Sequence, residues 1–446
     1  MNARCDRTAA GVASAPGVHR VPGPASEPRW RFARLLAAPH RLAFAAAALL
    51  MAASALWWAA ALLAGLLGRP WSWNLAPGPA HGLLMSLGFM PLFFTGFVFT
   101  AWPRWLACPA PRAVELLPAV LAQLCGWLIF MLALHAGPAP GLGRVLGRVL
   151  GSFGLAAAAW GWSATCWRMA RMLVHSRVAE QAHARVIAAA SLLGALCLWG
   201  AALALASGAT AALRLFGPAA LWACVGPVFA AALHRMLSGL TEALPPRLRE
   251  GPLGGLGLLW LWLGVCGLEL LGLVLPPSGW HAGLELAAGL AALALALRWK
   301  RLLKPGLRLP AMLHLSWIWL GLALLLAGLS QALRLASGGA LSLGLVPLHA
   351  YALGFLGSGL LSMATRLACG HGGRSVVADD FIWRLFWLLQ LVALLRLAAG
   401  LLAALSGPGV AALLGAAALG WAGVSLAWSC RYGRWFGRPR ADGRPG

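Results

Sequence analysis

Acidic residues are scarce in this chain. Asp and Glu number eleven among 446 positions, and charged residues of both signs make up only 10%. A soluble domain of this length carries roughly a quarter of its residues charged, so a water-soluble globular protein is excluded at the outset. The nine cysteines contain no Cys-x-x-Cys pair. Cys125, Cys197, Cys224 and Cys266 lie inside apolar runs, where cysteine acts as a small hydrophobe, and nothing argues for a disulfide framework. The first residues also lack the short apolar region and cleavage site of a signal peptide.

What is present is apolar: 61% of the residues are hydrophobic and the mean hydropathy is +0.79. At about 20 apolar residues per crossing, the chain has room for roughly a dozen membrane spans and no soluble catalytic domain. The fold class expected is therefore an all-α, polytopic membrane bundle. The net charge of +24 points to loop residues that orient the chain in lipid and not to nucleic acid. Apolar runs place twelve helices at about 42–67, 81–103, 114–135, 147–172, 184–207, 211–236, 253–275, 281–298, 311–335, 342–366, 381–404 and 408–430, with Pro/Gly punctuation between most of them. Residues 1–37, rich in Ala, Gly and Pro over their first 28 positions, are expected to be a disordered cytoplasmic tail. Residues 38–430 make the bundle, and 431–446 a basic cytoplasmic tail. With both termini inside, about 29 of the 35 Lys and Arg fall on the cytoplasmic side and roughly five outside. The topology expected is N-in, C-in, with membrane lipid around it.

Ionisable groups inside a bilayer are costly and need a reason. Glu269 and Arg396 are the clearest cases, both toward the outer side, and are expected to pair with each other, or else Arg396 to meet a haem propionate. Among the histidines, His19, His175 and His183 fall in tail or loop and read as solvated, while His135 and His281 read as interfacial. Five remain. His81 and His349 lie toward the outer ends of helices 2 and 10; His234, His314 and His371 lie toward the inner side. Neutral imidazole is the commonest protein ligand for haem iron and copper. Each of the five is also readable as an interhelical hydrogen-bonding residue. Met85 and Met363 would suit Cu(I) or a haem edge but read first as core fillers, while the Phe89, Phe93, Phe97 row and the glycines of helices 2 and 10 fit a macrocycle wall or ordinary packing equally well.

Three stretches go further: AHGLLMSLGFMPLFFTGFVFTAWPRW (residues 80–105), GPVFAAALHRM (226–236) and PLHAYALGFLGSGLLSMATRLACGHGGR (347–374). Together with APHR at 38–41 and MLHLSWIWLGLAL from Met312, they resemble, in order, segments of the NnrS family. The middle stretch departs from the family after its H-R-M, where Leu237, Ser238 and Gly239 stand. The resemblance implies a haem b- and copper-containing protein of the bacterial cytoplasmic (inner) membrane, linked to nitric oxide, denitrification or protection against nitrosative stress. His81, His234, His314, His349 and His371 match family histidines and are the metal and haem ligand candidates. Arg366 and Arg374 match family arginines suited to haem propionates, and equally suit a positive-inside loop. Neither an electron donor nor a division of the histidines between haem and copper follows.

Two rivals are set against this reading. A haem–copper oxidase or nitric oxide reductase subunit needs an H-x-H and an adjacent His pair, and the chain has neither. A secondary transporter of a small solute suits the helix count and Glu269, but lacks paired broken helices in its two halves.

Overall fold

A computed structural model describes residues 29–136, 141–241, 256–300 and 306–444. The described residues contain no strand, as a bilayer requires of any open structure: in lipid every backbone N–H and C=O must be satisfied within its own segment. Twelve apolar helices follow one another: α1 Pro39–Leu66, α2 Pro77–Trp105, α3 Ala113–Ala133, α4 Leu142–His175, α5 Ala182–Ala206, α6 Thr210–Met236, α7 Gly257–Gly272, α8 Gly279–Lys300, α9 Arg308–Ala336, α10 Val346–His371, α11 Asp380–Ala404 and α12 Val410–Phe436. Eleven are long enough to cross a membrane; α7, at 16 residues, is the short one. The protein is a multi-pass membrane protein.

The helices are not equivalent. In α2, α6 and α10, 89%, 78% and 78% of the most apolar stretch is buried inside the protein, against 33–50% in the other long helices. These three form the interior, and Phe229 of α6 ties them together by packing on Phe94 of α2 and Phe355 of α10. They also share a local departure from α geometry. Each contains a π-helical segment: Leu84–Gly88, Leu221–Val225 and Ala350–Gly357. Pro91 and Pro227 follow the first two within three residues, and a proline has no N–H for the carbonyl one turn back, so the ladder is displaced there. No proline follows the third; its Gly354 instead lies against the Trp319 ring, where a β-carbon would collide.

Outside this interior, α3 packs on α4, α8 on α9 and α1 on α12. Two of these contacts depend on bare backbone: a β-carbon on Gly126 would sit 2.5 Å from the Gly154 carbonyl oxygen, and one on Gly289 would sit 2.9 Å from that of Gly321. By contrast α7 and α8 meet near their connected ends, and along the rest of their length an apolar furrow of about 1000 Å³ opens between them, lined also by Trp262 and Trp317.

The terminal segments differ from the expected tails. Residues 32–37 form a 3₁₀ turn, Arg31 N–H donates to the Gly437 carbonyl (2.9 Å), and α12 runs on to Phe436. The expected disorder of residues 1–28 lies outside the described residues. Both described ends of the chain meet at one end of the bundle, as an even number of crossings demands; the other end is called here the opposite end.

Candidate functional site

The alternating path of the helices sorts the histidines by depth. At the opposite end, His81 opens the first turns of α2 and His349 those of α10, each directly before its π-helical segment. A widened turn rotates everything beyond it, so the imidazole and the rest of the helix face directions that a regular α-helix does not combine. His81 stacks on Trp58 of α1, with ring centroids 4.1 Å apart, and its Nδ1 is buried without a hydrogen-bond partner. His349 holds its Nδ1 2.8 Å from the Leu345 carbonyl oxygen. With Nδ1–H donating there, Nε2 is left with a free lone pair. His81, His349 and Arg396 of α11 lie within charge-interaction range of one another.

At the terminus-bearing end a second imidazole pair forms, and only one of its members was expected. His371 closes α10 and stacks on His40, with centroids 4.2 Å apart at an interplanar angle of 27°. His40 is buried, and its Nδ1 has no hydrogen-bond partner. Arg41, Arg104 and Arg440 surround the pair at charge-interaction range. The turn after His371 needs its glycines. Gly373 has φ +66°, and a β-carbon there would meet the Asp442 backbone nitrogen at 3.0 Å. The chain end folds beneath it, with Ala441 N–H donating to the Gly372 carbonyl (2.9 Å). Hydrogen bonds from Arg440, at 2.7 and 2.9 Å, hold the exposed Asp442 carboxyl below its ordinary range. Nearby, burial pushes the Asp379 carboxyl up, but the Arg431 side chain and the Ile382 N–H outweigh it and leave it lowered.

A third pair joins His234 of α6 to His183 of α5: His183 Nε2 and His234 Nδ1 are 2.8 Å apart. His183 was expected to be a solvated loop residue and is instead buried at the first turn of α5. His314 stands by itself, with its Nε2 2.8 Å from the Ala296 carbonyl oxygen. The five candidates are thus distributed, not gathered: among the described residues no three His, Cys, Asp or Glu side chains converge on one point suited to a metal ion.

The neighbours resolve as packing. A β-carbon on Gly96 would meet the Phe44 ring at 2.5 Å, and one on Gly359 would meet Phe229 at 3.2 Å, so these glycines make room for rings. Phe93 lies between Phe44 and Trp428. Arg374 stacks its guanidinium 4.1 Å over Trp435, while Arg366 is exposed. His135 sits inside a tryptophan cage, accepting from Trp57 Nε1 at 3.0 Å. His281, expected to be interfacial, is buried to 1% exposure with Glu285 3.2 Å away. The expected Glu269–Arg396 pair does not form: Glu269 lies in hydrogen-bonding reach of Glu285, and Arg396 beside the histidines.

Residues 34–440 match the family described as NnrS protein. The chain belongs to the NnrS family. The match takes in all three imidazole pairs, His314, Arg366 and Arg374, so His40 and His183 stand inside the NnrS region as fully as the five expected histidines. No curated protein matches the chain. His40 was within reach of the sequence, because it sits in the APHR segment already likened to the NnrS family. His183 carried no such signal.

Proposed function

We propose that this NnrS-family protein binds haem b and copper in the bacterial cytoplasmic membrane and acts on, or holds, nitric oxide there as a defence against nitrosative stress. The observation that carries this is that His81 and His349 lie within charge-interaction range of each other. Two imidazoles from different interior helices share one depth, one with a shielded and unpartnered Nδ1, the other with Nδ1 tied to a carbonyl and Nε2 free. That donor set fits haem iron or copper. His81 and His349 are the residues that would hold such a group, with Arg396 near enough to neutralise a carboxylate. His371 with His40, ringed by Arg41, Arg104 and Arg440, suits a second group that carries acidic substituents. His183 with His234, two ring nitrogens in contact, suits a soft copper ion. A bound haem or copper would supply reversible ligation and one-electron chemistry to a diatomic ligand.

This chain's own residues would do the rest. Trp58 holds the His81 ring in place by stacking, Leu345 fixes the His349 tautomer, and the apolar interior admits an uncharged diatomic while excluding ions. The test is a pyridine haemochrome spectrum with copper and iron analysis of the purified protein, before and after adding nitric oxide. Bound haem b that shifts with nitric oxide, and that falls at least severalfold in His349→Ala, supports the reading. Folded protein free of both metals overturns it and returns weight to a transporter. Nitric oxide consumption by membranes with and without the protein separates turnover from binding, since equal rates exclude turnover.

A further inference from the structure

Away from the imidazole pairs, a second group of ionisable side chains lies buried between α7, α8, α9 and α10. Glu269 of α7 and Glu285 of α8 come within hydrogen-bonding reach of each other. Glu285 is 2% exposed. Its Oε1 is 3.2 Å from His281 Nε2, one turn earlier on α8, and its Oε2 accepts from Gln331 Nε2 of α9 at 3.2 Å. The backbone is shaped for this arrangement. Gly272 leaves the space that the His281 ring fills, since a β-carbon there would meet His281 Cε1 at 2.5 Å. The close approach at Gly289 and Gly321 brings α8 against α9, along which Glu285 and Gln331 meet.

The groups facing the two carboxyls are few. From α7 there is Cys266, from α8 His281, from α9 Gln331, and from α10 Tyr351. Among the described residues no Arg or Lys lies within ion-pair distance of either carboxyl. Three atoms of this cluster are buried without a hydrogen-bond partner: Glu269 Oε1, His281 Nε2 and the hydroxyl of the fully buried Tyr351, which lies within charge-interaction range of Glu269. Two carboxylates in contact, with no cation between them and little water, cannot both remain ionised. Polar atoms without partners mark the cluster as a place that receives something small.

We propose that Glu269 and Glu285 form a proton-binding site inside the membrane, holding one proton between their carboxyls and exchanging it with the opposite face through His281. In the loaded state one carboxyl is a neutral acid donating to the other carboxylate. With His281 protonated, the cluster is then electrically neutral and tolerable in lipid. Loading adds one proton to the carboxylate pair and nothing else; on release His281, two residues from the start of α8 and beside the exposed Trp280, first gives up its own proton toward the opposite end and then takes the shared one. The site stands apart from the candidate ligands and does not rest on the function proposed above.

Infrared spectroscopy of the protein as isolated, in lipid nanodiscs, tests it. A carboxylic-acid C=O band is expected at neutral pH, shifted by deuterium oxide and absent from Glu269→Gln. His281→Gln is expected to keep the band but slow its deuterium shift severalfold. No such band, a band that survives Glu269→Gln, or an unchanged shift rate in His281→Gln overturns the proposal. Should Glu269→Gln fail to fold, the wild-type protein is treated with an apolar carbodiimide, which modifies only protonated carboxyls, and its peptides are weighed. An adduct at Glu269 or Glu285 that declines as pH rises is the expected result. Both residues unmodified at neutral pH would refute it.

Discussion

Asp442 shows how a single exposed side chain sets the condition for the chain end to dock. Its carboxyl is lowered by Arg440, so what the pair contributes is fully present above the ordinary carboxylate value, about 4. It is lost only as pH falls through the still lower folded value. Docking of Ala441 on Gly372, followed by protease cleavage near residue 440, is therefore expected to be constant from neutral pH down to about 4 and to weaken progressively in stronger acid. Asp442→Asn is expected to loosen it at every pH; equal cleavage in the variant would show that the backbone contact alone suffices. Histidines are the residues at which the sequence was least sufficient. A residue's place along the chain gives its depth in the membrane but not its azimuth around the helix. His81 and His349, opening interior helices on one side, were legible as a pair. His183 was not, because the loop before α5 reads as polar although its first turn is buried, and His281 went the same way.

At the scale of helices, the apolar runs located each of the long apolar helices among the described residues, and the ends shifted where charged residues continue a helix past the hydrocarbon, as on α12. What the runs do not encode is which helix is interior. All are similarly apolar, because lipid and protein interior select the same side chains, and only the paired contacts separate α2, α6 and α10 from the rest. Those contacts include a polar chain: Trp319 Nε1 of α9 donates to Gln390 Oε1 of α11 (2.7 Å), and Gln390 Nε2 donates to Ser358 Oγ of α10 (2.9 Å). Gln390→Leu strands a buried indole N–H and a buried hydroxyl. It is expected to lower stability by about 1–3 kcal/mol, seen as an earlier thermal transition in detergent, while Ser358→Ala costs less. A transition that does not move would mean the three helices are joined by apolar contact alone.

For the whole molecule, the distribution of arginine predicts which face is which. In a background without native cysteines, Leu341→Cys, at the opposite end, is expected to react with a membrane-impermeant thiol reagent in intact cells. Arg444→Cys, at the terminus-bearing end, is expected to react only in inverted vesicles. The reverse pattern would overturn the N-in, C-in orientation and with it the outward route proposed for the Glu269–Glu285 proton.

The packing of α1 on α12 has a consequence for how the protein is made. His40 finds its ring partner more than three hundred residues later, and Arg41 donates to the carbonyls of Phe436 and Arg438 at 3.2 and 2.7 Å. Helix α1 leaves the ribosome long before α12 and thus waits for it before its polar end is satisfied. Throughout synthesis the nascent bundle carries an open seam, which a premature stop codon upstream of α12 would make permanent. Membrane proteases that survey unpaired polar helices would then have a ready means of telling a finished chain from an unfinished one.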